Sequence, residues 1–204
     1  MAVSSDTILE KCRLMSASKD KLKDVKKTIF MPNKSALEAV RAFYNYLKAR
    51  RLDKAFELLS DNFVQGYSFE HFTQGYRQML DTSLVIIKRD KEVPNRIMVK
   101  LSTKDMVDVE IVYKYFEGYW DVRKIDGKWL LWKPRIREIK NPDEDWFVDQ
   151  DLKKEVEEFA KDHEDFGEYW PKIYILKQEP GNEDLSLQEL YDRVKEAEER
   201  IRNE

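Results

Sequence analysis

The dipeptide Asp126-Gly127 restricts the fold of this chain more than any other feature, because it separates two extended segments, residues 119–125 and 128–139. A type I′ turn needs positive φ at both central residues, and Asp followed by Gly tolerates this. The sequence therefore predicts a β-hairpin here. Pro134 lies inside the second segment, where it predicts an edge strand or a bulge, since proline has no N–H to donate.

Three segments before this hairpin also have the composition of strands. Residues 83–88 and 96–101 are short, apolar and β-branched, with a turn predicted between them at Pro94-Asn95. Residues 106–116 alternate in polarity, which predicts one half-buried antiparallel strand. Its predicted buried face carries Val107, Val109, Ile111, Tyr113 and Tyr115, and its exposed face carries Asp108, Glu110 and Lys114. After it, Glu117-Gly118 permits a bend or bulge.

Helical patterns precede the strands. Apolar residues spaced by three, four and seven predict a surface helix over residues 6–30, which Asp6 caps. Ser35 and Glu38 form a capping-box pattern that opens a second helix, reaching Leu47. Further helices are predicted around residues 55–59 and from residue 68 to residue 80.

Helical patterns also follow the strands. Residues 149–166 have one apolar face and predict a helix, which Pro171 ends. A short strand is predicted over residues 173–176. Ser186 and Glu189 form another capping box, which opens a last helix whose apolar seam is expected to pack on its own domain.

These patterns together predict an α+β fold, in which a curved antiparallel sheet is wrapped by N-terminal helices and further helices lie at both ends. The predicted boundaries are an N-terminal helical extension over residues 1–32, an α+β domain over 33–140 and an acidic helical extension over 141–204.

Charge is distributed unevenly along the chain. The net charge is −3, which gives no global electrostatic argument for binding nucleic acid or an anionic membrane. Residues 141–168 contain twelve acidic side chains against three lysines, whereas residues 123–140 contain seven basic side chains against two acidic ones. The simpler interpretation is two solvated faces, or an acidic helix lying on the basic strand region. The alternative is that the basic region binds an external polyanion.

The sequence carries no recognisable catalytic, metal or cofactor motif. Its one cysteine, Cys12, excludes an intrachain disulfide and a cysteine-based metal site. The two histidines, His71 and His163, are far apart in sequence, and no glycine-rich phosphate loop or nucleophile elbow occurs. We therefore predict no catalytic residue, no metal ligand and no cofactor.

The location of the protein is predicted only from its N-terminal pattern and hydropathy. No run of 18 apolar residues occurs, so no membrane span is expected. Residues 1–11 lack the basic and apolar regions of a secretory signal, so the chain is expected to be cytoplasmic as written, or exported if a signal segment has been removed.

Aromatic residues gather before and within the hairpin, and they fit either a large core or an aromatic-lined pocket. A pocket needs polar groups converging among the rings, for which His71, Arg123 and Asp121 are the candidates. The predicted ligand pocket consists of Tyr67, His71, Tyr76, Trp120, Arg123 and Trp132.

Two stretches resemble a known superfamily. Residues 36–44 leading to 55–63 resemble the opening helices of nuclear-transport-factor-2-like, cystatin-like proteins, and residues 120–131 resemble their final hairpin with its Asp-Gly-Lys-Trp turn. The resemblance covers about residues 35–140 and implies a cone in which helices wrap a strongly curved sheet. Neither terminal segment belongs to the minimal unit of this superfamily.

The resemblance implies a range of functions, because this fold hosts both enzymes and binding proteins. No catalytic motif of the superfamily matches, which favours a non-catalytic binding or protein-interaction module. The alternatives are a small-molecule isomerase, dehydratase or cyclase, and a soluble domain of a bacterial envelope or secretion assembly. A buried Asp or His71 in a pocket would favour the enzyme, and a space filled by Trp and Tyr would count against it.

The expected partners are a second copy of this chain, another protein or a small apolar ligand. The resemblance implies that homodimerisation would use the outer face of the sheet. Nucleic acid is not expected as a partner, because the net charge is negative.

Overall fold

A computed structural model describes residues 34–179, 181–182 and 184–203. The helix predicted over residues 6–30, its cap Asp6, Cys12 and the extension over 1–32 lie outside these residues. The helices are α1 (Ala36–Lys48), α2 (Leu52–Phe56), α3 (Asp61–Val64), α4 (Phe69–Gly75), α5 (Gln150–Asp162), α6 (Phe166–Gln178) and α7 (Leu187–Asn203), with a 3-10 helix at Glu144–Phe147. The strands are β1 (Met79–Arg89), β2 (Arg96–Val107), β3 (Glu110–Ile125) and β4 (Lys128–Ile139).

The chain divides into two compact units. The first, which we call the sheet unit, ends at Val148, and the second, the helical unit, begins at Asp149. Residues 141–148, including the 3-10 helix, belong to the sheet unit.

The sheet unit contains one curved, four-stranded antiparallel sheet in the order β1-β2-β3-β4. The predicted hairpin is confirmed, because Asp126 and Gly127 have φ of 48° and 80° between β3 and β4. The prediction from Pro134 is also confirmed, because β4 is an edge strand. Its register with β3 shifts between Asp121 and Val122, leaving Trp132 as an extra residue in a bulge.

The single strand predicted over residues 106–116 is wrong. Asp108 and Val109 have φ of 47° and 65° and form a two-residue turn, so β2 and β3 are a hairpin in which Val107 pairs with Glu110. A turn of two residues shifts the alternation by one position, so the residues after it change face. Ile111 and Tyr113, predicted to be buried, are therefore 51% and 59% exposed.

The inner face of the sheet packs against α1. Ser35 accepts a hydrogen bond from the Glu38 backbone N–H, which confirms the predicted cap. One side of the helix then buries Leu37, Val40, Phe43 and Leu47, each 2% exposed or less. Burying a side chain of this size stabilises the fold by about 1.5–3 kcal/mol.

Two of the predicted helices in the sheet unit end differently from the prediction. α2 ends at Phe56, because the Leu131 N–H donates to Leu58 O and the Ser60 N–H donates to Leu131 O. Residues 58–60 thus pair with β4 instead of continuing the helix. α4 ends at Gly75, and Met79 begins β1, so the helix predicted as far as residue 80 is wrong in its last turn.

The helical unit consists of α5, α6 and α7 around its own apolar cluster. The strand predicted over residues 173–176 is wrong, and Pro171 does not end a helix but lies inside α6. A proline inside a helix costs about 3 kcal/mol. Burial of Phe166, Trp170 and Ile173, at 4% exposure or less, offsets this, at about 1.5–3 kcal/mol each. The seam of α7 packs within the same unit, through Leu187, Leu190, Tyr191 and Val194.

Candidate functional site

The six residues predicted to line a pocket lie in two groups. Tyr67, His71, Tyr76 and Trp120 gather around α1, α3 and α4 through a chain of ring contacts. Arg123 and Trp132 lie together on β3 and β4, where the Arg123 guanidinium is 4.0 Å from the centre of the Trp132 ring. Strand alternation places Arg123 on the face opposite buried Trp120 and Val122, so the structure does not unite the six residues in one site.

The first group is an aromatic cluster on the inner face. Trp120 is 4% exposed, and its ring centre lies 5.5 Å from that of Phe43 and 5.7 Å from that of Phe63. These spacings are those of packed aromatic pairs. The side chains of the protein itself therefore fill this part of the space between α1 and the sheet.

At the rim of this cluster lie the two more exposed residues of the group. Tyr67 is 48% exposed, and its ring centre is 5.9 Å from that of His71. His71 is also exposed, and its Nδ1 lies 3.3 Å from the hydroxyl of Ser68, the residue that caps α4. His71 is thus placed at the first turn of α4, outside the packed rings.

A buried hydrogen bond holds the centre of the cluster. Trp120 Nε1 donates to Tyr44 Oη at 2.9 Å. Burial raises the pKa of Tyr44 well above its ordinary value. Burial likewise raises the pKa of Tyr76 to about 12, and the neighbouring Tyr67 adds to this. Both phenols therefore remain protonated at neutral pH.

A polar row on the same inner face was missed by sequence reasoning. Lys114 Nζ lies 2.8 Å from Asp105 Oδ2, and this contact raises the pKa of Lys114. Asp105 is only 9% exposed, and within the described part of the chain neither its Oδ1 nor the neighbouring Thr103 Oγ1 has a hydrogen-bond partner. The sequence pattern placed Lys114 on an exposed face, because it could not show the turn at Asp108 and Val109.

α1 adds a second buried pair. Glu38, 2% exposed, has its Oε1 3.5 Å from Arg41 Nε. The sequence assigned Glu38 only to the capping box.

The outer face of the sheet carries the 3-10 helix. Trp146, 7% exposed, donates from Nε1 to Glu117 Oε2 at 3.0 Å, and Lys100 Nζ donates to the Trp146 carbonyl oxygen at 2.9 Å. Arg137 lies 2.7 Å from the other oxygen of Glu117. Arg137 and then the indole hold the pKa of Glu117 below its usual range.

Along β3 and β4 this outer face becomes basic. We call Arg123, Lys133 and Arg135 the basic strip; all three are exposed, and none has an ion-pair partner within the residues that the structure describes. The nearest acids on β3 are engaged elsewhere, since Asp121 pairs with Arg96 at 2.8 Å and Glu117 with Arg137.

The helical unit has a polar cluster of its own. Tyr191 donates to Asp165 Oδ1, and Lys195 Nζ lies 3.0 Å from both Asp165 Oδ2 and Tyr191 Oη. These two donors lower the pKa of Asp165. His163 stacks on Phe159 at 4.0 Å between ring centres, and its Nδ1 lies 3.0 Å from the Phe159 carbonyl oxygen. This cluster joins α7 to the start of α6.

Neither a metal site nor a membrane helix is found among the described residues. In residues 34–179, 181–182 and 184–203, no group of three or more His, Cys, Asp or Glu side chains is placed to hold a metal ion. Among the described helices, none combines the length and the apolar character needed to cross a bilayer.

The chain matches no protein-family model, no curated protein and no solved structure.

Proposed function

We propose that this chain is a non-catalytic binding module of the nuclear-transport-factor-2-like type, with a cone-shaped sheet unit that holds a protein partner on its outer surface. The observation that carries the proposal is the packing of the inner face. Trp120 and Tyr44, at 4% and 5% exposure, are hydrogen-bonded to each other and surrounded by Phe43 and Phe63. A ligand pocket needs these surfaces free for contact.

The exposed basic strip supports the same proposal. Arg123 on β3 and Lys133 and Arg135 on the edge strand β4 keep their charges in solvent on the outer face of the sheet. Surfaces of this kind steer and orient charged partners.

A small-molecule isomerase, dehydratase or cyclase is the second candidate, and the polar row favours it. Asp105 is a buried carboxylate held by Lys114, with Oδ1 directed into protein without a hydrogen bond among the described residues. A buried carboxylate oxygen of this kind is the position to which a substrate hydroxyl would donate a hydrogen bond.

The two candidates are separated by native mass spectrometry of protein purified gently from its source. For a binding module we expect no retained small molecule. The binding-module proposal would be contradicted if the natural chain retained a molecule of definite mass and the Asp105→Asn variant lost it. Asp108→Asn, which makes the same change at the exposed hairpin turn, is the matched control and should keep such a molecule.

A further inference from the structure

We propose that the basic strip binds an acidic, extended segment of a partner protein, with carboxylates at alternate positions. This inference rests on the proposed function and names its partner. Three observations carry it: charges left without partners, their spacing along a strand, and the nature of the strand edge.

The charges are available to a partner. Asp121 and Glu117, the acids that lie opposite Lys133 and Arg137 in the register of β3 and β4, already contact Arg96 and Arg137. Lys133 and Arg135 are therefore left exposed without an ion-pair partner among the residues for which contacts are described. An approaching carboxylate can pair with either cation without breaking an existing ion pair.

The spacing of the charges fits an extended peptide. Lys133 and Arg135 of the strip occupy alternate positions of β4, whose register places them opposite Asp121 and Tyr119. Alternate side chains of a strand are about 6.6 Å apart. An extended peptide has the same repeat, so carboxylates on every second residue meet successive cations. Guanidinium and carboxylate groups also form the stronger, charge-assisted hydrogen bonds.

The edge of β4 favours contact through side chains over addition of a strand. The Leu131 N–H and carbonyl are taken by Leu58 and Ser60, and Pro134 has no N–H. Charged residues, proline and a bulge are the features by which edge strands avoid pairing with other strands. The partner segment is therefore held by the cations of the strip and not by a backbone ladder.

The aromatic rings beside the strip argue against nucleic acid. Single strands gain affinity when bases stack on free aromatic faces. Here the Arg123 guanidinium lies over Trp132 at 4.0 Å, and the Arg96 guanidinium lies over Tyr119, the residue opposite Arg135, at 3.9 Å. The rings nearest the strip are thus already covered by cations of the protein.

The test is fluorescence-anisotropy titration of the full chain with three labelled probes. They are a short peptide of alternating Glu and Ser, a peptide of the same composition with its Glu residues in one block, and oligothymidylate. We expect the alternating peptide to bind most tightly. Raising the salt from about 0.1 M to about 1 M, which shortens the screening length from about 10 Å to about 3 Å, should abolish the binding.

Variants locate the contact. Arg135→Glu replaces an attraction by a repulsion and should weaken binding of the alternating peptide about 10-fold, and Lys133→Glu with Arg135→Glu should remove it. Lys128→Glu makes the same charge change at the first residue of β4, outside the strip, and should leave the affinity within about two-fold. Circular dichroism confirms that each variant is folded.

Three results would overturn the inference: equal binding of the block peptide, tighter binding of oligothymidylate, or no binding of any probe. None of these results bears on the proposed function. That proposal would be contradicted by a small molecule that the natural chain retains and the Asp105→Asn variant loses.

Discussion

Gly118 is a residue whose role is fixed by the backbone of a neighbouring strand. A Cβ at this position would lie 1.9 Å from the carbonyl oxygen of Arg135, and the backbone φ is +150°. The sequence suggested a bend at Gly118, whereas the structure shows a close approach of β4 to β3. The side chain is excluded because the clash is with main-chain atoms, which cannot rotate away.

Gly118→Ala should therefore destabilise the sheet unit by about 1–3 kcal/mol, the range for overpacking. Urea unfolding followed by circular dichroism measures this. Gly75→Ala is the matched control, because nothing lies within 4 Å of a Cβ there and its φ is not positive. Equal stability of the two variants would show that β4 adjusts freely.

The half-buried Tyr76 gives a prediction about alkaline pH. The pKa of Tyr76 is raised from 10.0 to about 12 in the folded chain, so between these values the folded state holds a proton that the unfolded state has lost. Its contribution to stability is complete below about pH 10 and is lost as the pH rises towards 12. The free energy of unfolding should fall over this range, by up to about 1.4 kcal/mol per pH unit for each such group.

The measurement is urea unfolding at several pH values between 9 and about 11, below the range where most proteins lose their fold. Tyr76→Phe should give a shallower dependence than the natural chain. Tyr113→Phe, at a position that is 59% exposed, is the control. An unchanged slope in Tyr76→Phe would mean that this phenol ionises equally in both states.

Among the secondary-structure elements, the β2–β3 hairpin decides which residues face the core. Its turn places Val109, 94% exposed, in a left-handed conformation that β-branched residues seldom adopt. No local pattern in the sequence marks such a turn. Polar and apolar residues keep alternating along the chain through it, but the residues after the turn point to the opposite face of the sheet. That reversal turns Lys114 to the inner face beside Asp105 and exposes Ile111 and Tyr113.

The start of α1, by contrast, follows from local chemistry. Ser35 Oγ accepts from the Glu38 N–H at 3.2 Å. Ser35→Ala should cost about 1 kcal/mol of stability, because the N–H loses its acceptor at the start of the central helix. Ser35→Asn, which keeps an acceptor, should cost little. Thermal unfolding monitored at the helical ellipticity compares the two, and equal losses would contradict a capping role.

For the molecule as a whole, the two units differ in composition and in core. Residues 34–148 carry 21 basic and 18 acidic side chains, whereas residues 149–204 carry 9 basic and 18 acidic ones. Each unit has its own cluster of buried apolar residues. The acidic shift noticed in the sequence after residue 141 therefore corresponds mainly to the helical unit.

Separate clusters predict separate responses to mutation. Leu190→Ala should destabilise the helical unit by about 2–5 kcal/mol, because Leu190 is fully buried in its cluster. Amide hydrogen exchange should then accelerate over residues 150–179 and 187–203 and remain unchanged in β2 and β3. Ile201→Ala, at a residue that is 73% exposed, is the control. Equal acceleration in both units would show that they unfold together.

Features that depend only on neighbouring residues can be predicted from the sequence. The Asp126-Gly127 turn, the Ser35 cap, the apolar side of α1 and the extent of β4 all follow from turn chemistry, capping and periodicity, which act over a few residues. Tyr67, His71 and Tyr76 lie close together for the same reason, because they fall within ten residues of one another in and around α4.

Tertiary structure decided the rest, because contacts between distant residues outweigh local preference. Trp120 meets Tyr44 across 76 positions of the chain, and this packs rings for which the sequence allowed either a core or a pocket. Burial of Trp170 and Ile173 stabilises α6 even though Pro171 lies inside this helix. The two-residue turn at Val109 sets which side chains enter the core, and the pairing of Asp121 and Glu117 with other cations leaves the basic strip exposed.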